Sequence, residues 1–227
     1  MNGTAGALAG PPQEQPRAQV DQQALESSRR GYRLLAPLYD VAFGLSLQHG
    51  RRVGVAALDC RPGEKVLEVG IGSGLSLALY PAHTELVGID LSEEMLAIAR
   101  RRLQRHPPRA RCTLLAMNAE QLKLDDASFD KVIVLFAISG LPNPLRALRE
   151  LHRVCKPGAR LVLVNRFRSA SDRLRAFDVL LSPLFRLLRY RTDIDGEALV
   201  TTAGFKLLES HHVNLFGYST TLVCRRV

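Results

Sequence analysis

The 227-residue chain has no tryptophan, only three methionines and four cysteines, and aromatic residues make up 6% of it. Cys60, Cys112, Cys155 and Cys224 lie far apart and form no CxxC pair or Cys/His cluster. That spacing argues against a disulfide framework, predicts no metal site and suits a reducing cytoplasm. No run approaches the ~20 consecutive apolar residues of a membrane-spanning helix. The first residues show no charged start followed by an apolar core, so no secretory signal is expected. With so few aromatics, platforms for stacking bases are sparse and no nucleic-acid partner is expected.

A hydrophobic content of 46% is that of a folded domain. The length suits one α/β domain with additions. The net charge is +9, and it is unevenly placed. Residues 1–130 hold 15 basic and 15 acidic side chains, whereas residues 131–227 hold 16 and 7. Such an excess points to a phosphate-bearing partner or an anionic membrane surface, beyond its effect on solubility.

Residues 1–20 are small, polar and proline-rich, and read as a disordered tail. Residues 21–60 read as two N-terminal helices, the second running through Leu45 and Leu47 to about Leu58. From residue 61 to 227 strands alternate with helices. The expected strands are Lys65–Gly70, Glu85–Ile89, Cys112–Met117, Phe129–Ala137, Arg160–Val164, Phe205–His211 and Tyr218–Arg226. Helices are expected over Leu75–Tyr80, from the Ser92 cap to about Gln104, over Pro142–Val154, over 173–191 and over Ile194–Ala203. This alternation predicts a doubly wound, mainly parallel seven-stranded sheet of Rossmann-like type with an N-terminal helical extension.

The strongest motif is Glu68-Val69-Gly70-Ile71-Gly72-Ser73-Gly74, placed where the first strand turns out of the sheet. Glycines there allow a sharp turn and let a ligand touch backbone. Leu75 stands where the hydride-cofactor pattern GxGxxG requires its third glycine. An acidic Glu68 two residues before the loop, and Asp90 ending the second strand, complete a different pattern.

On these residues the chain resembles the class I S-adenosylmethionine-dependent methyltransferases, over about residues 64–166. The resemblance implies S-adenosylmethionine as cofactor and S-adenosylhomocysteine as product. It implies that Glu68, Gly70, Gly72 and Gly74 form the loop under the methionine and ribose. Asp90 would accept from the ribose hydroxyls, and Leu91 and Met95 would pack near the adenine. Asn118, Ala119 and Glu120 match the position that meets the adenine edge, and Phe136 to Ser139 the methyl-donor wall. The absence of an S/N/D-PP-Y motif argues against amino-methylation of DNA.

The flanks narrow the acceptor. Tyr32-Arg33-Leu34-Leu35-Ala36-Pro37-Leu38-Tyr39-Asp40, His49-Gly50-Arg51-Arg52, Val164-Asn165-Arg166-Phe167 and Phe216-Gly217-Tyr218 resemble segments of the soluble bacterial phosphatidylethanolamine N-methyltransferases. That family often has His where this chain has Arg166. The resemblance implies a phospholipid substrate, with Tyr32, Tyr39 and Asn165 at the reacting amine and Arg166, Arg168, Arg191 and Tyr218 around the headgroup. A buried core position is the other reading of each tyrosine. Residues 173–191 carry Leu174, Phe177, Leu181, Leu184 and Leu188 at helical spacing beside five arginines and one acid, Asp178. Two readings fit that pattern: a core-packing helix with solvated arginines, or a helix lying in an anionic interface. The lipid-enzyme resemblance favours the second, hence a cytoplasmic protein held peripherally on the inner membrane face, with residues 21–60 as lid and second contact. The alternatives are a methyltransferase for a polyprenyl quinone or another apolar small molecule and, in a different class, an inactive cofactor-binding membrane adaptor.

Overall fold

A computed structural model describes residues 47–108, 110–168, 193–214 and 217–227. The expected tail, the first N-terminal helix with Tyr32 and Tyr39, and the arginine-rich 173–191 segment with Arg191 lie outside the described residues. Seven strands form one sheet: β1 Lys65–Val69, β2 Glu85–Asp90, β3 Arg111–Ala116, β4 Phe129–Leu135, β5 Cys155–Asn165, β6 Phe205–Val213 and β7 Ser219–Arg226. Their spatial order is β3-β2-β1-β4-β5-β7-β6. Strands β1 to β5 pair in parallel, and β7 runs antiparallel to both β5 and β6. The expected doubly wound, mainly parallel sheet is therefore what forms.

Four α-helices are described: α1 Gln48–Ala57, α2 Glu93–Arg105, α3 Pro144–Val154 and α4 Gly196–Thr202. Side chains alternate across the sheet, so neighbouring strand residues enter two different cores. Val66, Ile133, Val162 and Val164 pack on the face shared with Val55, Leu58 and Leu96 of the α1 and α2 side. Leu67, Val132, Val134 and Leu161 pack on the opposite face with Leu148 and Leu151 of α3 and Val200 of α4. Helix starts follow local chemistry. The Ser92 and Asn143 side chains accept from the amides of Met95 and Arg146, and Pro144 occupies a first-turn position that needs no donor.

Several expectations need correction. Leu75–Tyr80 forms only a 3-10 turn, Leu77–Leu79, and no α-helix. Tyr80 is extended, as a residue before proline prefers, and Pro81 stops the helix. The fourth strand ends at Leu135, two residues early, because Phe136 turns to φ +59°. The Lys156-Pro157-Gly158 turn is absorbed inside β5 as an irregularity, where the pairing jumps from Phe129↔Cys155 to Lys131↔Arg160. Helix α4 begins two residues later than expected because Asp195 is its N-cap.

Two features hold the sheet's upper edge. The buried Glu68 carboxylate accepts from Ser76 Oγ at 2.8 Å and Tyr80 Oη at 2.7 Å, fastening the segment after the glycine loop back onto β1. Burial pushes this carboxyl up to about 7, while the bonds from Tyr80 and Ser76 and the charge of Arg51 pull it down. On the other side of β4, α1 lies close to the sheet at Gly54. A Cβ at that position would stand 2.6 Å from Val164 Cγ2 and 2.9 Å from Leu135 Cδ2.

Gly54→Ala sets helix propensity against crowding. Alanine gains ~1 kcal/mol in a helix interior. Overpacking costs about 1–3 kcal/mol, and valine at 164 is stiff about χ1. A net loss on the order of 1 kcal/mol follows, read as a lower denaturant midpoint; a raised midpoint would show that the helix lifts freely from the sheet. Glu68 gives a pH test. The folded state binds the extra proton between the ordinary value of 4.5 and about 7, so the Glu68 contribution to stability falls as pH rises through that window. Measured against Glu68→Gln, the native protein should lose relative stability between pH 5 and pH 8. A constant difference between the two proteins would place the titration elsewhere.

Candidate functional site

At the carboxyl ends of the strands, the chain leaves β1 toward β2 and β3 on one side and β4 on the other. Open α/β sheets place ligands in the crevice at that switch point. Here it is a cleft lined by Arg51, the glycine loop Gly70–Ser73, Asp90–Ser92, Met95, Met117–Ala119, Phe136–Ala137 and Gly140–Pro142.

The loop's shape comes from its glycines. Gly70, Gly72 and Gly74 have φ of +71°, +56° and +78°. A Cβ on Gly70 would stand 2.3 Å from that of Ala137, so the loop passes closely under β4's exit. Asp90 ties the cleft together. Its Oδ2 accepts from the Gly72 amide at 2.8 Å and its Oδ1 from the Ser92 amide at 2.9 Å. Burial raises the Asp90 carboxyl, and backbone donors at Ser92, Gly72 and Leu91 oppose that rise. A carboxylate has about four acceptor sites, more than these amides use. The Arg102 Nε donates to the Ser73 carbonyl at 3.0 Å and holds the loop's far side.

Among the other expected cofactor residues, Leu91, Met95, Asn118, Ala119 and Phe136 face the same cleft. Asn118 Oδ1 accepts from the Glu120 amide at 2.9 Å and closes the turn after β3. Glu68, Gly74, Glu120 and Ser139 stand behind the lining. Glu68 is engaged by Ser76 and Tyr80, while Glu120 accepts from the Asn143 amide at 2.8 Å, bracing the start of α3. Ser139 Oγ donates to Asn165 Oδ1 at 3.3 Å, and both residues are buried.

The headgroup candidates are spread more widely. Arg166 is 3% exposed, its guanidinium lies 4.9 Å from the Tyr218 ring centroid, and Nη1 donates to the Phe167 carbonyl. Arg168 is exposed and pairs with Asp195 at 3.2 Å. Tyr32, Tyr39 and Arg191 lie outside the described residues.

Arg51 is the cleft residue that the sequence reading left without a role. It is 7% exposed, with its guanidinium 5.5 Å from the Phe136 ring centroid. Its signal in the sequence is a charge on an apolar stripe: Leu47, Arg51, Val55 and Leu58 recur at helical spacing.

The parts fit S-adenosylmethionine. The glycine loop leaves bare backbone at the cleft floor, Asp90 keeps acceptor capacity for hydroxyls, and apolar Leu91 and Met95 lie beside it. Comparison with known proteins agrees. Residues 67–163 match the model of the methyltransferase domain. A phosphatidylethanolamine N-methyltransferase of Cereibacter sphaeroides is 34% identical over 202 residues, which is 89% of this chain and 98% of that protein. A demethylmenaquinone methyltransferase of Paenarthrobacter aurescens (strain TC1) is 35% identical over 136 residues, 58% of this chain and 51% of that one. Among solved structures, a SAM-dependent methyltransferase from Thermotoga maritima superposes with a TM-score of 0.66 at 22% identity, covering 88% of this chain and 100% of the other, a likeness of fold. A glycine loop locked to a strand-end aspartate, together with a relative similar along nearly its whole length, places the chain in the class I S-adenosylmethionine-dependent methyltransferases, with S-adenosylmethionine as its cofactor.

Proposed function

We propose that this methyltransferase acts on the amine of phosphatidylethanolamine and, by repetition, on its mono- and dimethyl forms, yielding phosphatidylcholine at an anionic membrane surface. One observation carries the proposal: the similarity to the phosphatidylethanolamine enzyme runs through 89% of the chain. The quinone-enzyme match covers 58% of it. Quinone methylation is the second reading, favoured by the several relatives of that name.

The cofactor supplies an electrophilic methyl group on a sulfonium, and the protein's share is alignment and proton handling. In this reading Asp90 holds the ribose, the glycine loop lies under the sugar and methionine, and Leu91 and Met95 flank the adenine. Asn118 and Ala119 meet its edge. Phe136 forms the wall where β4 ends. Glu68, Gly74, Glu120 and Ser139 support these groups from behind. Asn165, held by Ser139, steadies the end of β5. Tyr32 and Tyr39 are assigned to the amine, where aromatic faces tolerate the growing ammonium charge.

The lipid amine must lose a proton before it can attack, so the rate should rise with pH until another step limits it. Arg168 and Arg191 are assigned to the lipid phosphate, since a guanidinium keeps its charge at any working pH. Arg166, with its guanidinium over the Tyr218 ring, is assigned with Tyr218 to the surroundings of the headgroup. No helix among the described residues is long and apolar enough to cross a membrane. Attachment is assigned to residues 21–60 and 173–191, lying on the inner membrane face.

Asp90→Asn keeps the side chain's shape and removes its charge. Loss of a charge-assisted acceptor costs about 1.5–3 kcal/mol, so calorimetry should show S-adenosylhomocysteine binding weakened by about tenfold or more, with a lowered thermal melt, because asparagine sets an NH2 group against the Gly72 or the Ser92 amide. Unaltered affinity would remove Asp90 from the ribose site. The acceptor is tested with labelled cofactor and vesicles of phosphatidylethanolamine, phosphatidylglycerol or a demethylated quinone. Label is expected in mono-, di- and trimethylated ethanolamine lipid. Label in the quinone alone would establish the second reading, and cofactor binding with no labelled product would favour an inactive adaptor.

A further inference from the structure

We propose that Asn214 is a positioning residue for methyl transfer: it ties the cleft wall at Phe136 to the turn that carries Tyr218, and so holds the acceptor in line with the methyl donor. The placement follows from register. Asn165, the last residue of β5, pairs with Thr220 near the start of β7, and Val213, the last of β6, pairs with Ser219. The turn between β6 and β7 therefore lies at the same pole of the sheet as the cleft. Tyr218 stands in that turn, with the Arg166 guanidinium 4.9 Å from its ring centroid. The inference rests on the reading that these two residues surround the lipid headgroup.

Asn214 joins this corner of the molecule to α1. Leu47 stands at the N-cap of α1, and its side chain has no acceptor to offer the first amides of the helix. The Gly50 amide in that first turn donates instead to Asn214 Oδ1 at 2.7 Å. Asn214 thus does for α1, from the far end of the described chain, what a serine or asparagine does at a local N-cap. Its Nδ2 donates to Oγ of the buried Ser219 at 3.0 Å, and its carbonyl accepts from the Gly217 amide at 3.1 Å. Asn214 has φ +64°, a conformation that asparagine tolerates better than most residues. Gly50 in turn meets the wall. A Cβ there would stand 2.9 Å from both Asn214 Nδ2 and the Phe136 ring. Phe136 is fastened to β5, its amide donating to the Val164 carbonyl at 2.7 Å. One line of contact therefore runs from the turn that carries Tyr218, through Asn214 and Gly50, to the ring that lines the cleft. An in-line displacement depends on such alignment, and a misplacement of about 1 Å costs on the order of 100-fold in rate.

The test sets the rate on phosphatidylethanolamine vesicles beside calorimetric binding of S-adenosylhomocysteine. Asn214→Gly keeps the backbone conformation free of strain and removes both side-chain bonds. Its kcat should fall by about 10- to 100-fold, while S-adenosylhomocysteine affinity stays within about twofold. Asn214→Asp should recover most of the rate, because one carboxylate oxygen accepts from Gly50 and the Ser219 hydroxyl can turn to donate to the other. Gly50→Ala approaches the same contact from the opposite side. It should slow the native protein and add less to Asn214→Gly, where the amide it crowds is gone. Equal kcat in the native protein and Asn214→Gly would overturn the proposal. Parallel losses of rate and S-adenosylhomocysteine affinity, or no recovery in Asn214→Asp, would overturn it too, leaving Asn214 a support of the fold alone. A native protein that labels no ethanolamine lipid would remove the headgroup reading and this proposal with it, a failure seen before any variant is made.

Discussion

The bond between the Asp90 carboxylate and two backbone amides is the constraint on which the cleft depends. One oxygen takes the Gly72 amide and the other the Ser92 amide. A single side chain thereby fixes the curvature of the glycine loop and the starting point of α2. Carboxylates near a helix N-terminus are favoured by the peptide dipoles, and amide donors oppose the rise that burial imposes on the Asp90 carboxyl. From that point the fit spreads outward. Ser92 caps α2, Met95 follows one turn later, and Arg102 reaches back from the last turn of α2 to the Ser73 carbonyl. The loop is held from both ends of one helix.

Beneath the loop lies a second constraint of opposite character. Glu68 is 1% exposed, and its partners, Ser76 and Tyr80, are neutral hydroxyls. A carboxyl so placed sits near its titration midpoint at neutral pH. The two acids of the motif therefore divide the work. Asp90 ties the glycine loop to the start of α2 at the cleft, while Glu68 anchors the segment that leaves the loop, at a cost that depends on its proton.

Much of this was legible before any coordinates. β1, β2 and the glycine loop are short-range features. Apolar strands, positive-φ glycines and a serine cap each declare themselves within a few residues. Leu75–Tyr80 was misread because its apolar spacing suits a helix, while Pro81 and the pull of Glu68 leave room for a single tight turn. The end of β4 was misplaced for a similar reason. Phe136 looks like another strand residue, yet tertiary contacts hold it in a left-handed conformation. Arg51 was invisible as a site residue because its position relies on Asn214, far along the chain. The burial of Arg166 against Tyr218 is equally non-local, whereas the family resemblance had placed Arg166 at the lipid headgroup.

The tie between Gly50 and Asn214 couples the two ends of the described fold. The first described helix is secured by a residue in the turn that joins β6 and β7, so the wall carrying Arg51 depends on a contact 164 positions away. Contacts this distant in sequence are slow to form and carry a large loop-closure cost. The bonds that join the glycine loop, Asp90 and Ser92 span no more than 18 positions. One side of the cleft is thus built from neighbours in sequence and the other from residues at opposite ends of the described chain, so a change in the β6–β7 turn reaches the cleft wall without touching the glycine loop.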